Sequence, residues 1–218
     1  MLFRDRRDAG RKLAWALNHY AGRNDVLVLG LPRGGVPVAL EVARLLRAPL
    51  DVLVVRKLGV PGHEELAMGA IASGGARVMN DALVRQLGVS EASIEHVARV
   101  EGEELTRRER AFRGARPPLD VAGLAVIVVD DGIATGATMR SAVTSLKAAG
   151  AANVVAAVPV AAEDAVHLLR AEADEVVCLA TPEPFLSVGQ WYEEFGQTSD
   201  DEVRAALRAA TEPVPDED

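Results

Sequence analysis

The stretch VIVVDDGIATGAT, residues 126–138, decides the reading of this chain. A continuous apolar run typical of a buried parallel strand delivers two adjacent carboxylates, Asp130 and Asp131, to its C-terminal end. A loop of small and hydroxyl residues, Gly132 to Ala137, then runs into Thr138 and an amphipathic helix whose apolar face is Met139, Ala142, Val143 and Leu146. Open α/β sheets place their ligands at that end of the strands. Gly132, Gly136 and Ala137 permit close backbone approach, Thr135 and Thr138 add hydroxyls, and the free N–H groups of a helix start suit a phosphate. The acid pair would repel an all-phosphate ligand but can hold hydroxyls or a metal, so the segment points to a phosphorylated sugar. A nucleotide-binding lysine loop is excluded because Ala137 stands where it needs Lys, and Gly30, Gly34 and Gly35 miss the spacing of a dinucleotide fingerprint.

Outward from this segment the same grammar repeats. VLVLG (26–30), a loop through Gly35, a helix bearing Val38, Val42, Leu45 and Leu46, and a strand over 50–55 ending in Arg56-Lys57 make one βαβ unit. A second follows: strand 124–129, helix 138–149 and strand 153–158. Further helices are expected over 8–20, 90–112, 163–171 and from the Ser199/Glu202 capping box to about 210, with a strand over 175–180. The glycine-rich text 58–80 reads as a mobile loop, a short strand at 66–71, a Gly74-Gly75 turn and a strand near Arg77. The expectation is one α/β unit, residues 1–212, of three layers with a mainly parallel central sheet, and a disordered acidic tail over 213–218.

Composition narrows the partners. Thirty-two acidic residues against 24 Lys and Arg make a binder of DNA or RNA backbone improbable. Apolar runs are strand-sized, so no membrane span is expected, and the charged N-terminus lacks a signal peptide's apolar core, which points to the cytoplasm. The single cysteine, Cys178 in VVCLA, reads as a small buried hydrophobe. His63 with Glu64 and Glu65 reads as solvated loop, and His19, His96 and His167 as helix-surface residues.

Strand, two acids and a T-G-x-T loop resemble the phosphoribosyl-pyrophosphate signature of the type I phosphoribosyltransferases. GLPRGG (30–35) resembles that family's first loop, and the resemblance implies that Arg33, Gly34 and Gly35 contact pyrophosphate together with Arg56 and Lys57. It further implies that Asp130 and Asp131 hold the ribose, that Gly132, Ala134, Thr135, Gly136, Ala137 and Thr138 grip the 5-phosphate, and that 59–75 is a closing loop. The implied reaction is Mg²⁺-dependent transfer of the phosphoribosyl group from phosphoribosyl pyrophosphate to a purine or pyrimidine base, by a homodimer. A small hood is expected over 183–196, where Val188 and Trp191 would meet the base and Glu193 would help hold magnesium. Ala134 replaces the third acid of the 6-oxopurine enzymes and resembles the small residue of the adenine and orotate branches. The other reading of the same fold is a non-catalytic sensor of phosphoribosyl pyrophosphate or nucleotides.

Overall fold

The computed structural model describes residues 2–210. Five strands, β1 (Val26–Gly30), β2 (Leu50–Val52), β6 (Ala125–Val129), β7 (Asn153–Val160) and β8 (Glu175–Ala180), form a sheet in the order β2-β1-β6-β7-β8, parallel throughout. The order departs from β1 in both directions, so the sheet has a topological switch point between β1 and β6.

Alternation along the central strands assigns each residue to one of two cores. Val26, Val28, Ile127 and Val155 pack toward α1 (Arg6–Ala16), α2 (Gly35–Leu46), α4 (Glu91–Arg113) and α7 (Asp200–Ala209). Leu27, Leu29, Val126, Val128 and Val154 pack toward α5 (Ala137–Ala148) and α6 (Glu163–Arg170). The expected three layers around a parallel sheet are therefore present. Asp51 is the charged residue buried at the sheet's β2 edge. Arg113 binds it through both guanidinium arms at 3.0 Å, tying the end of α4 to the sheet.

The structure corrects the sequence reading in three places. The strand expected over 50–55 stops at Val52. Val54 N–H turns to the Ser73 hydroxyl at 2.9 Å, and Val54 C=O accepts from Ser73 N–H at 2.9 Å. The chain thereby leaves the parallel sheet and enters a separate antiparallel one, made of β3 (Val55–Val60), β4 (His63–Ala72) and β5 (Arg77–Met79). Residues 59–75, which the resemblance implied as a closing loop, are mostly this ribbon, with the chain reversing at Pro61-Gly62; the strands expected at 66–71 and near Arg77 are present as β4 and β5, while β3 was not anticipated. Gly59 and Gly69 lie within the ribbon, where backbones approach closely. A short helix, α3 (Asp81–Leu87), capped by Asn80, was also not anticipated.

The third correction bears on the site. The first helix begins at Arg6, two residues before the expected Asp8, because Asp5 caps it by accepting from Asp8 N–H at 2.7 Å. Residues 2–4 run beside 191–194: Phe3 N–H donates to Trp191 C=O, and Glu193 N–H to Phe3 C=O. Residues 213–218 lie outside the described residues.

Candidate active site

The C-terminal ends of β1 and β6 meet here. Gly34 and Gly35 press the first loop against the acid pair: a Cβ at Gly34 would overlap Asp131 Oδ2, and one at Gly35 would come within 2.5 Å of Val129 C=O. Only glycine fits at Gly34 without moving the carboxylate. The Pro32–Arg33 peptide in this loop is cis.

The two acids occupy different environments. Asp130 is half-buried, and its Oδ1 accepts from Asp131 N–H at 2.9 Å. Burial, and next the neighbouring charge of Asp131, push its carboxyl well above the ordinary range, so Asp130 is held toward its protonated form. Asp131 instead borders a cleft of about 390 Å³ lined also by Arg6, Arg33, Gly34 and the segment Phe195–Thr198. Its Oδ2 accepts from Arg6 Nε at 2.8 Å, and its backbone carbonyl accepts from the buried Tyr192 hydroxyl at 2.5 Å. Burial and the nearby Asp131 raise the Tyr192 phenol far from ionisation.

Beyond the acids the loop is pinned once, where Ile133 bridges to Ala161 next to the end of β7. Ala134, Thr135, Ala137 and Thr138 are exposed around it. Gly136 caps α5 at φ +76°, a left-handed conformation that favours glycine. No side chain caps this helix, so its first N–H groups are available to an anion.

The sequence-nominated residues divide into two groups. Asp130, Asp131, Gly34, Gly35 and Gly132 come together, and Arg33 lines the same cleft with its guanidinium 3.8 Å from Asp200. Val188 packs on Gly132 from the hood side. Arg56 and Lys57 lie elsewhere, on β3. Arg56 is bound to Glu101 of α4 at 2.7 and 2.6 Å, and Lys57 Nζ donates to Glu65 C=O at 3.3 Å. Both line a separate groove of about 720 Å³ between the ribbon and α4. Trp191 is half-buried beside Phe185, with ring centroids 6.3 Å apart, and Glu193 is exposed; neither borders the acid cleft. Phe3, Tyr192 and Phe195 stack in series nearby, in a cluster against which Phe185, Val188 and Trp191 also pack. Cys178, partly buried, donates its thiol to Ala180 C=O, and burial pushes that thiol up, in keeping with a packing role.

Sequence reading missed Arg6, and it singled out the segment carrying Tyr192 without finding the phenol's bond to Asp131. Arg6 stood in a charged N-terminus read only for its lack of apolar character. The available signal was Asp5 three residues before Asp8, an N-cap spacing that places Arg6 in the first turn of a helix.

The structure thus sets an acid pair at the switch point of a parallel sheet, facing a glycine-tightened loop and an open helix start. The phosphoribosyl transferase domain model matches residues 4–190, and the chain belongs to that family. Two curated Mycobacterium tuberculosis proteins, from strains CDC 1551 and H37Rv and provisionally named phosphoribosyl transferases, are each 54% identical over 209 residues. The matched region is 96% of this chain and 47% of theirs, so the chain spans about half the length of these relatives. The solved structure of TT1426 from Thermus thermophilus is 45% identical, with a TM-score of 0.86 over 95% of this chain and 98% of that one. Among the described residues no helix is long and apolar enough to cross a membrane.

Proposed function

We propose that the protein transfers the phosphoribosyl group of phosphoribosyl pyrophosphate to a ring nitrogen of a purine or pyrimidine base, releasing pyrophosphate. The observation that carries the reading is the Asp130–Asp131 pair at the end of β6, set between Gly34 and the open N-terminus of α5. The anomeric C–O bond breaks with its electron pair on pyrophosphate. The base nitrogen supplies the pair for the new C–N bond and loses its proton.

Each group has a part in this. The Asp131 carboxylate accepts ribose hydroxyls and lies near the positive charge that develops on the sugar ring, as in other glycosyl transfers. Asp130, its carboxyl pushed up by burial and by the neighbouring Asp131 charge, gives up its proton less readily, which limits the charge the pair carries. The loop 132–138 and the first N–H groups of α5 take the 5-phosphate. Arg33 and the backbone of Gly34-Gly35 face the leaving pyrophosphate. Val188, over Gly132, forms the wall nearest the base.

Among the described residues no cluster of three or more His, Cys, Asp or Glu stands ready for a metal. Mg²⁺ needs no such cage, since one or two carboxylates with substrate oxygens suffice. Asp131, bordering the cleft, fits that demand, and the ion would neutralise charge on the pyrophosphate. Glu193, exposed and away from the cleft, is the weaker metal candidate.

The test is pyrophosphate release from phosphoribosyl pyrophosphate with Mg²⁺ across a panel of purine and pyrimidine bases. Base-dependent release with one nucleotide product is expected. Tight binding of the sugar diphosphate with no turnover on any base would replace the transferase with a sensor.

A further inference from the structure

The leaving pyrophosphate needs cations, and two of the three that the sequence nominated are not at the cleft. Arg56 is committed to Glu101, and Lys57 to the backbone of its own ribbon. Among the described residues that line the acid cleft, the cations are Arg33 and Arg6. Arg33 is exposed, with an Asp200 oxygen 3.8 Å away. Arg6 is built in. Its Nε donates to Asp131 Oδ2 at 2.8 Å, one Nη donates to Gly196 C=O at 2.7 Å, and the guanidinium carbon lies 3.9 Å from the Phe195 ring centroid. Its side chain and that of Asp131 are 13% and 14% exposed.

This arrangement poses a competition. Asp131 is the carboxylate that would accept ribose hydroxyls, and Arg6 already holds its Oδ2. Asp131 without a cation would also repel a ligand carrying several negative charges. A guanidinium fork matches phosphate oxygens bidentately and is weakly hydrated, so a diphosphate can compete with the carboxylate for it.

Resting on the transferase reading, we propose that Arg6 is a substrate-binding residue that selects the diphosphate. Binding of phosphoribosyl pyrophosphate exchanges the Arg6–Asp131 pair for an Arg6–pyrophosphate pair and frees Asp131 for the ribose. The first helical residue of the chain thus completes a site otherwise made by β1 and β6. The Phe195 stack and the Gly196 carbonyl keep the guanidinium at the cleft while it changes partner.

Isothermal titration with phosphoribosyl pyrophosphate and with ribose 5-phosphate, each with Mg²⁺, separates the possibilities. Ribose 5-phosphate keeps the 5-phosphate and the 2- and 3-hydroxyls but lacks the pyrophosphate. Arg6→Ala is expected to weaken phosphoribosyl pyrophosphate more than tenfold while ribose 5-phosphate stays within about twofold or tightens. Arg6→Lys, which keeps the charge without the fork, is expected to fall between, and it serves if Arg6→Ala does not fold. In turnover, KM for the sugar diphosphate should rise more than kcat falls. Equal weakening of both ligands, or unchanged diphosphate affinity, would overturn the proposal and leave Arg6 a structural tie. Failure of the wild-type protein to prefer the diphosphate would overturn the transferase reading itself, and the role of Arg6 with it.

Discussion

At the residue scale, Asp130 and Asp131 show what separates adjacent carboxylates. Burial and its neighbour's charge raise the Asp130 carboxyl above the ordinary range; Asp131 borders the cleft and accepts from Arg6. A carboxyl whose folded pKa is raised binds more protons folded than unfolded. Stability is therefore lost as pH rises from the ordinary carboxylate range through the folded value. Asp130→Asn can keep the acceptor for Asp131 N–H and removes this cost. It is expected to raise Tm at pH 7 by about 2–4 °C, equivalent to roughly 1 kcal/mol, with the gain vanishing toward pH 4. Thermal melts across pH check it; a gain that grows in acid would mean the shift has the opposite sign. Gly34→Ala is expected to displace the Asp131 carboxylate, cutting turnover about 100-fold and costing about 1–3 kcal/mol of stability. Calorimetric stability and steady-state rates on the same sample measure both.

At the scale of elements, the parallel βαβ units were legible because their signals are local. Val26–Gly30 and Ala125–Val129 are unbroken apolar runs, and the Ser199/Glu202 capping box marks α7. The antiparallel ribbon was legible only in its strands at 66–71 and near Arg77, and β3 was not, for the opposite reason. Val52 to Val55 reads as one strand, and what divides it is a hydrogen bond to Ser73, 19 residues later. Ser73→Ala would leave the buried Val54 N–H unpaired and is expected to cost about 1–3 kcal/mol, seen as a lower urea midpoint at unchanged slope. An unchanged midpoint would show that the Ser73 hydroxyl does not hold the branch point. The same displacement removed Arg56 and Lys57 from the acid cleft. Their place in the sequence after β2 suggested the active site, whereas their place on β3 gives them Glu101 and the Glu65 carbonyl as partners.

At the scale of the molecule, the site is closed by segments from opposite ends of the described chain. Residues 2–6 lie beside 191–196, with Phe3, Tyr192 and Phe195 packed together and Arg6 and Tyr192 both bonded to Asp131. Contacts about 190 residues apart leave no periodic signal, so the acid pair was legible from sequence and its cation and phenol were not. Phe3→Ala is expected to cost about 3 kcal/mol, a Tm loss of roughly 6–12 °C, because Phe3 is buried in this cluster. It should also weaken sugar-diphosphate binding, since the Phe3–Tyr192–Phe195 packing behind the Arg6 stack loosens; full affinity in a destabilised variant would uncouple that cluster from the site. Net charge bears on the molecule differently. The acidic excess argues against polyanion backbones, yet the cleft wall carries Arg6 and Arg33 beside the N-terminus of α5.

The central claim is that the acid pair and the loop 132–138 form one phosphoribosyl site. It is tested most directly by a crystal structure of the protein with phosphoribosyl pyrophosphate and Mg²⁺. The account predicts ribose hydroxyls on Asp131, the 5-phosphate on the N–H groups of 135–138, and pyrophosphate against Arg33 and Gly34-Gly35. Density for the ligand in the ribbon–α4 groove beside Arg56, with the Asp131 cleft empty, would contradict it.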